Sequence, residues 1–139
     1  MQALRNYHPP GHDSFALRFD AGQKSVTFSG DTTYLPALAD FAKDTDILVH
    51  EAMLAKGVDC VLSKTKTDND QLKQHLLASH SFAEDAGKIA AAANCGHLVL
   101  HHLIPPERDI CNDEDWLTKV RGSFHGPCSV GYDGMKLLF

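Results

Sequence analysis

The sequence lacks the features that mark several large classes of protein. No apolar run approaches the length of a membrane span, and the first ten residues, MQALRNYHPP, have no apolar core like that of a signal peptide. The four cysteines form no C-x-x-C pair, which argues against a zinc knuckle or a disulfide framework. A net charge of -5 gives no basic footprint for nucleic acid, although it does not forbid a metal that would offset the charge. We therefore expect a cytoplasmic protein with reduced thiols and no membrane partner.

Low-complexity tracts, internal repeats and interdomain linkers are also missing, whereas histidine is abundant. The chain has 139 residues, of which 43% are hydrophobic, so it is long enough for one core and is predicted to be a single domain over residues 1–139. Nine histidines in a chain of this length are an excess that requires an explanation.

The hydrophobic pattern predicts strands alternating with helices. Residues 15–19 and 25–31 alternate around a turn and are predicted to form a hairpin. Residues 46–52 and 97–103 are short, continuously apolar runs, as expected of strands covered on both faces. Four helices are predicted: one after a cap at Thr32 or Thr33, one over 69–79, one after an S-x-x-E capping box of Ser81 and Glu84, and one over 114–120. Residues 53–68 are predicted to form an exposed loop, and residues 129–139 a hairpin. The expected class is α/β with mixed strand directions.

Histidines and acids cluster where the predicted strands end and the predicted helices begin. These positions are His8, Asp31, His50, Glu51, His80, His101 and His102. In an open α/β sheet, such positions converge on one edge. Histidine and aspartate are natural ligands of zinc, and carboxylates also suit manganese or iron. The joint placement therefore predicts a metal site.

Each of these residues also has a purely structural interpretation. Asp31 alone is more often a turn or capping residue, and His80 alone is a polar residue at a helix entry. Neighbours on a strand face opposite sides, so at most one of His101 and His102 points into a given site. The remaining histidines are assigned to the surface or to satisfied hydrogen bonds: His12, His75, His97 and His125.

Four segments in order resemble one known family. They are SGDTTY (29–34), ILVHEA (47–52), HSFAEDAGKIAAAA (80–93) and LVLHHLIPP (98–106), followed by the ending GYDGMKLLF. In order and spacing they resemble the second half of metallo-β-lactamase-fold hydrolases, in the branch of ribonuclease Z and the arylsulfatase-like phosphodiesterases. The resemblance implies half of an αββα sandwich, with a mixed sheet and helices on one face.

The resemblance also implies a role for each matching residue. His8 resembles the ligand of a first metal, Asp31 the aspartate that bridges two metals, and His102 the ligand of the second metal. Glu51 and His80 resemble the acid–histidine pair that protonates the leaving oxygen. The expected cofactor is zinc, or alternatively manganese or iron, and the expected substrate class is a phosphodiester or related ester.

The sequence departs from the family in one respect. The H-x-H-x-D-H run that supplies most other metal ligands in the family's first half does not occur in these 139 residues. A truncated hydrolase that binds metal weakly and is inactive alone is one expectation, and a non-catalytic remnant that acts by binding or assembly is the alternative. A metal-free α/β binding module without family ties is a third possibility.

The missing half predicts a partner. In the parent fold the second sheet face would meet that half, so an exposed apolar face is expected here. We expect a homo-oligomer to bury this face, or a separate chain to supply the first half.

Overall fold

The computed structural model describes residues 1–11, 13–64 and 69–138 and forms one mixed sheet. Its six strands follow chain order: β1 (Gln2–Arg5), β2 (Phe15–Ala21), β3 (Lys24–Phe28), β4 (Ile47–Met53), β5 (His97–Ile104) and β6 (Cys128–Val130). The first three strands pair antiparallel, and β3 to β6 run parallel. The predicted mixed α/β sheet is therefore confirmed, although β1 was not predicted.

Five helices are present in the described residues: α1 (Ala37–Phe41), α2 (Ala55–Lys64), α3 (Asn69–Ser79), α4 (Ala83–Ala93) and α5 (Asp113–Val120). The apolar residues of α4 recur at helical spacing, and α4 ends at Asn94, whose left-handed conformation (φ 52°) closes the helix. An Asn112–Asp115 capping box starts α5. Buried residues of α1, α4 and α5 pack with Leu48, Leu98 and Leu100 of the sheet in the main core.

A second, smaller core corrects the prediction for residues 53–68. Residues 55–64 form α2, not an exposed loop, and residues 65–68 lie outside the described part of the chain. Val58 and Leu62 are buried against Met53, with Ile104 and α3 completing the cluster. The segment is largely polar, but Val58 and Leu62 are four positions apart and so lie on the same face of the helix. Burial of this face is enough to keep the helix on the core.

Two predicted helix caps are wrong. Ser81 does not cap α4, because its Oγ donates instead to the Thr32 carbonyl at 2.7 Å. Neither Thr32 nor Thr33 caps α1, which begins after Pro36 without a side-chain cap. The hairpin predicted over 129–139 is also wrong for the described residues, because β6 ends at Val130 and a turn follows without a partner strand.

Part of the sheet is left open. Leu17, Phe28 and Val49 are partners in register, as are Phe19 and Val26, so their side chains share the face opposite α4. Phe19 and Phe28 remain 42% and 38% exposed, with their rings in edge contact at 6.1 Å. The described residues form no helix that is both apolar and long enough to cross a bilayer.

Candidate metal centre

Most of the acids and histidines singled out in the sequence meet at the carboxyl ends of the parallel strands. Asp31 follows β3, Glu51 lies in β4 and His102 in β5. His80 lies between α3 and α4, and His8 lies in the segment after β1. This is the edge at which open α/β sheets bind ligands.

Asp31 and His102 face each other across the end of the sheet. Asp31 Oδ2 lies 3.3 Å from His102 Nε2, and both side chains are partly open to solvent. Gly30 sets the turn that delivers Asp31: its φ is +61°, and a Cβ there would lie 2.7 Å from the Phe15 carbonyl oxygen. The Ser14 hydroxyl donates to the Asp31 carbonyl at 3.1 Å and fixes the same turn.

A β-bulge presents His102 to Asp31. In the pairing of β4 with β5, Glu51 is opposite His101 and Ala52 is opposite Leu103, which leaves His102 as the extra residue. His102 has φ 43°, in the left-handed region that side chains other than glycine rarely adopt. The bulge thus changes the simple alternation assumed from the sequence and redirects one histidine of the pair.

Glu51 and His80 form a buried pair beside this contact. His80 Nδ1 donates to Glu51 Oε1 at 3.2 Å, and the Thr32 amide donates to the same oxygen at 2.8 Å. Burial raises the pKa of the Glu51 carboxyl, and the hydrogen bond from His80 opposes this rise. Glu51 Oε2 is buried without a hydrogen-bond partner among the described residues.

His50 and His101 neighbour the cluster without completing it. His50 is buried, and its Nδ1 donates to the Glu51 carbonyl at 2.7 Å. Burial lowers the pKa of His50 to about 4, so the ring is neutral at pH 7. Burial also lowers the pKa of His101, and its Nε2 has no hydrogen-bond partner within the described ranges.

His8 and His75 extend the cluster on the other side of His80. The His80 ring stacks on His102 with centroids 5.4 Å apart, and His8 meets His80 edge-on at 4.9 Å. His75 makes the predicted satisfied hydrogen bond, to Ser79 Oγ at 3.2 Å, but it also lies 6.0 Å from the His8 ring. Its position in a histidine cluster was missed. No local pattern marked it, because its contact with His8 depends on hydrogen bonds through Ser79.

Two other histidines lie where the sequence analysis assigned them. His97 Nε2 bonds to Ser129 Oγ at 2.8 Å, and His125 is exposed. His12 lies outside the described residues.

A cavity of about 560 Å³ opens beside His101 and His102. Val99 and Leu103 supply apolar walls, while Arg108 and Tyr132 supply polar ones. Such a mixture of apolar walls with a few polar groups is typical of a small-molecule or substrate site.

The donor set fits a divalent cation of the zinc type. Among the described residues, the ligand atoms of His8, His75 and His80 lie within 4.8 Å of one another, and Asp31 pairs with His102, but His8, Asp31 and His102 do not form such a group. Glu51 and His101 each carry a buried polar atom without a partner in the described residues. The ligand roles predicted for His8, Asp31 and His102, and the acid role predicted for Glu51 and His80, remain predictions.

Comparisons with known proteins agree with the resemblance seen in the sequence. No family model matches the chain. It is 32% identical to a ribonuclease Z of Myxococcus xanthus strain DK1622 over 82% of this chain and 32% of the relative. It is 28% identical to a ribonuclease Z of Haloferax volcanii over 82% of this chain and 31% of that one. The chain thus spans about a third of the length of these curated relatives.

Solved structures give the fold. The metallo-β-lactamase-fold protein YhfI from Bacillus subtilis superposes with a TM-score of 0.71 at 22% identity, over 96% of this chain and 47% of that one. The short form of human tRNase Z superposes with a TM-score of 0.51 at 22% identity, over 73% of this chain and 34% of that one. These structural likenesses establish the fold.

Proposed function

Because the chain is a ribonuclease Z-like protein of the metallo-β-lactamase fold, we propose that it supplies the acid-bearing half of a metal-dependent hydrolase centre. The bonds hydrolysed are phosphodiesters or related esters. The observation that carries the proposal is the 3.3 Å approach of Asp31 to His102 beside the buried Glu51–His80 pair.

His8, Asp31 and His102 would hold the cation. Zinc is the preferred metal because the set combines imidazole with carboxylate, and manganese and iron are alternatives. When bound, such a cation polarises the scissile bond and makes a nucleophile available near neutral pH. The left-handed backbone of His102 supports this role, because strain in a bulge is often retained where function requires a side-chain direction.

The Glu51–His80 pair would protonate the leaving oxygen. Glu51 holds Nδ1 of His80, so Nε2 is the nitrogen free to carry and release a proton. A neighbouring carboxylate stabilises the protonated imidazole in this step, and a positioned general acid typically contributes about 100- to 10,000-fold in rate. The Thr32 amide fixes the carboxylate and thereby the ring.

The cavity beside His102 would receive the substrate. Arg108 offers a charge for a phosphate, although Asp113 engages it at 2.6 Å in the free chain. Tyr132 is 63% exposed and offers a ring on which a base could stack. An RNA phosphodiester is therefore the favoured substrate class, in keeping with the names of the relatives.

The centre requires donors in addition to these three. A single catalytic zinc uses three protein ligands in fixed geometry, whereas the two-metal centre that the resemblance implies needs more. The H-x-H-x-D-H run is not among the 139 residues, so the remaining ligands would come from another polypeptide segment or a partner chain. We expect these residues alone to bind zinc or manganese weakly and to hydrolyse model phosphodiesters at or near background.

A non-catalytic binding or assembly domain is the alternative. The open sheet face around Phe19 and Phe28 favours it, because exposed apolar patches on sheets usually mark contact surfaces. A homo-oligomer would bury this face. Light scattering at micromolar concentration tests this point, and a monodisperse monomer would argue against the oligomer.

Hydrolysis of a chromogenic phosphodiester, beside elemental analysis of the purified chain, tests the hydrolase proposal. We expect background turnover by the chain alone, and an increase in metal content and turnover when a fragment bearing H-x-H-x-D-H is added. Asp31→Ala should abolish the increase, whereas His125→Ala, which changes an exposed histidine, should not. Robust chelator-sensitive turnover by the chain alone would contradict the proposed dependence on added ligands.

A further inference from the structure

We propose that His8, His75 and His80 form a second divalent-cation site, made only of imidazoles. One ring nitrogen from each of the three lies within 4.8 Å of those of the other two. His75 comes from α3, and neither the hydrolase centre nor the resemblance gives it a role. The site goes beyond the proposed function because its binding does not need Asp31 or His102.

The hydrogen bonds of the three rings leave the same nitrogen free on each. His8 Nδ1 donates to the Ser79 carbonyl at 3.0 Å, and His80 Nδ1 donates to Glu51 Oε1 at 3.2 Å. The Ser79 hydroxyl donates to the Pro9 carbonyl at 2.6 Å, so at 3.2 Å it accepts from His75 Nδ1. Each Nε2 therefore keeps its lone pair. Histidines that bind metal are held in this way, with the second nitrogen donating to a carboxylate, carbonyl or other fixed acceptor.

Ser79 positions two of the three ligands. Its side chain is fully buried at the end of α3, its carbonyl binds His8 and its hydroxyl binds His75. A single residue thus joins the segment after β1 to α3 and holds two of the three rings. Ser79 is a positioning residue because it reaches the cation only through these histidines.

The chemistry of the site selects a borderline cation. Three neutral imidazoles suit zinc, cobalt, nickel or copper, whereas magnesium and calcium require oxygen ligands. Zinc–nitrogen bonds of about 2.0–2.1 Å in tetrahedral geometry place the nitrogens roughly 3.3 Å apart. Because the nitrogens lie within 4.8 Å of one another, each pair has to approach by no more than about 1.5 Å on binding. His8 and His75 are only partly buried and have room to rotate.

This site competes with the proposed hydrolase centre. Both would use His8, and a cation on His80 would take the lone pair needed to carry the proton. Occupancy would therefore inhibit hydrolysis, a consequence that rests on the proposed function. Binding of the cation does not rest on it.

Titration with cobalt(II) alone, followed by visible absorption and by competition with zinc(II), tests the site. We expect the full chain to develop a tetrahedral cobalt spectrum. Ser79→Ala should weaken cobalt binding by about 10- to 100-fold, which is the usual cost of losing an outer-shell partner. His75→Ala should weaken cobalt binding by more than this, because it removes a ligand of the proposed site. His125→Ala should bind as the unchanged chain does. Asp31→Ala should keep the cobalt spectrum of this site. A failure of the histidine site can therefore be distinguished from a failure of the hydrolase centre.

Circular dichroism establishes that each variant is folded. If His75→Ala does not fold, His75→Gln and Ser79→Ala are compared with the unchanged chain by the same titration. Weaker binding by a folded His75 variant supports the site, with or without an effect of Asp31→Ala. Unchanged binding by a folded His75 variant, or no cobalt spectrum from the full chain at millimolar cobalt, would overturn the proposal.

Discussion

The polar clusters at the two ends of the parallel strands differ in how fully their buried groups are hydrogen-bonded. At the amino ends of β3 and β4, Asp46 Oδ2 accepts from the Ser25 amide at 2.8 Å and from its hydroxyl at 3.1 Å. Thr27 donates to Thr45 at 3.1 Å in the same network. At the carboxyl ends, Glu51 has a buried oxygen without a described partner.

The pKa directions express the same difference. The backbone hydrogen bond from Ser25 lowers the pKa of Asp46, so folding stabilises the charged form of this carboxyl. Burial raises the pKa of Glu51, so folding disfavours its charge. A left-handed His102 adds strain at the same end. Polar groups whose placement lowers the stability of the folded state are more typical of a functional site than of a structural network.

Removing one aspartate from each end should produce the largest contrast. Asp31→Ala should weaken zinc binding at His102 by at least about 10- to 100-fold, because it would remove a proposed ligand. It should change the free energy of unfolding by no more than about 0.5 kcal/mol, because the Asp31–His102 contact is partly exposed. Zinc-dependent shifts of the His102 ring resonances in NMR measure the first effect, and urea unfolding measures the second.

Asp46→Ala is the matched variant and should behave in the opposite way. It should lower the free energy of unfolding and leave the zinc-dependent shifts unchanged. A loss of zinc response in Asp46→Ala with no loss of stability would remove the distinction between the two ends.

His50 should make the carboxyl end sensitive to mild acid. Its pKa is about 4 when folded against 6.5 when unfolded, so the unfolded state binds the proton first as pH falls. The stability from neutral His50 is present above pH 6.5 and is lost progressively down to about pH 4, in total about 3 kcal/mol. His101, whose pKa is also lowered, acts in the same direction.

Urea unfolding between pH 7 and 4.5 measures this loss of stability. His50→Gln should make the free energy of unfolding less dependent on pH. The control His125→Gln, at an exposed position, should keep the pH dependence of the unchanged chain. The Asp46 carboxyl is held charged, so its contribution is lost only as pH falls from about 3.8. A pH profile for His50→Gln equal to that of the unchanged chain would contradict the assignment.

Glu51→Gln should have a smaller effect of opposite sign. A raised pKa gives stability that is present below pH 4.5 and is lost as pH rises through the folded value. The amide cannot ionise, so the variant should gain stability relative to the unchanged chain between pH 5 and 8. The hydrogen bond from His80 opposes the rise in pKa, and this limits the gain. Chemical unfolding at both pH values checks the sign, and a relative loss at pH 8 would show that the carboxylate is well accommodated.

His102 should show the smallest effect, through its backbone. At φ 43° glycine is favoured over alanine, so His102→Gly should be about 0.5–1 kcal/mol more stable than His102→Ala. His97 starts the same strand without a positive φ, so there His97→Gly should be less stable than His97→Ala by about 0.5–1 kcal/mol. Thermal unfolding of the four variants measures both differences. The same order at both positions would exclude a role for strain at His102.

The sequence allowed prediction of β4, β5 and α4, because each has a strong local pattern. Both strands are continuously apolar, and the alanine face of α4 is regular. The segment of α2 was mispredicted because its helix packs on Met53, at the end of the preceding strand, together with Ile104 of β5, which lies far along the chain. The Ser81 box failed for a similar reason, since the Thr32 carbonyl competes for the hydroxyl.

The site was predictable only in part. Sequence order placed Asp31, Glu51 and His102 at one edge because parallel strands end together. It did not reveal the bulge at His102, which depends on the register of β4 against β5. The location of His75 beside His8 depends on hydrogen bonds through Ser79, and such long-range contacts leave no periodic signal in the sequence.

Anomalous diffraction at the zinc edge, from crystals of the chain soaked in millimolar zinc, tests the central claim most directly. The account predicts an anomalous peak about 2.0–2.2 Å from Asp31 Oδ2 and His102 Nε2, and no peak at the Asp46 end of the strands. Zinc bound in a saturated crystal with Asp31 and His102 both unliganded would contradict the claim that these two residues hold the metal of the hydrolase centre.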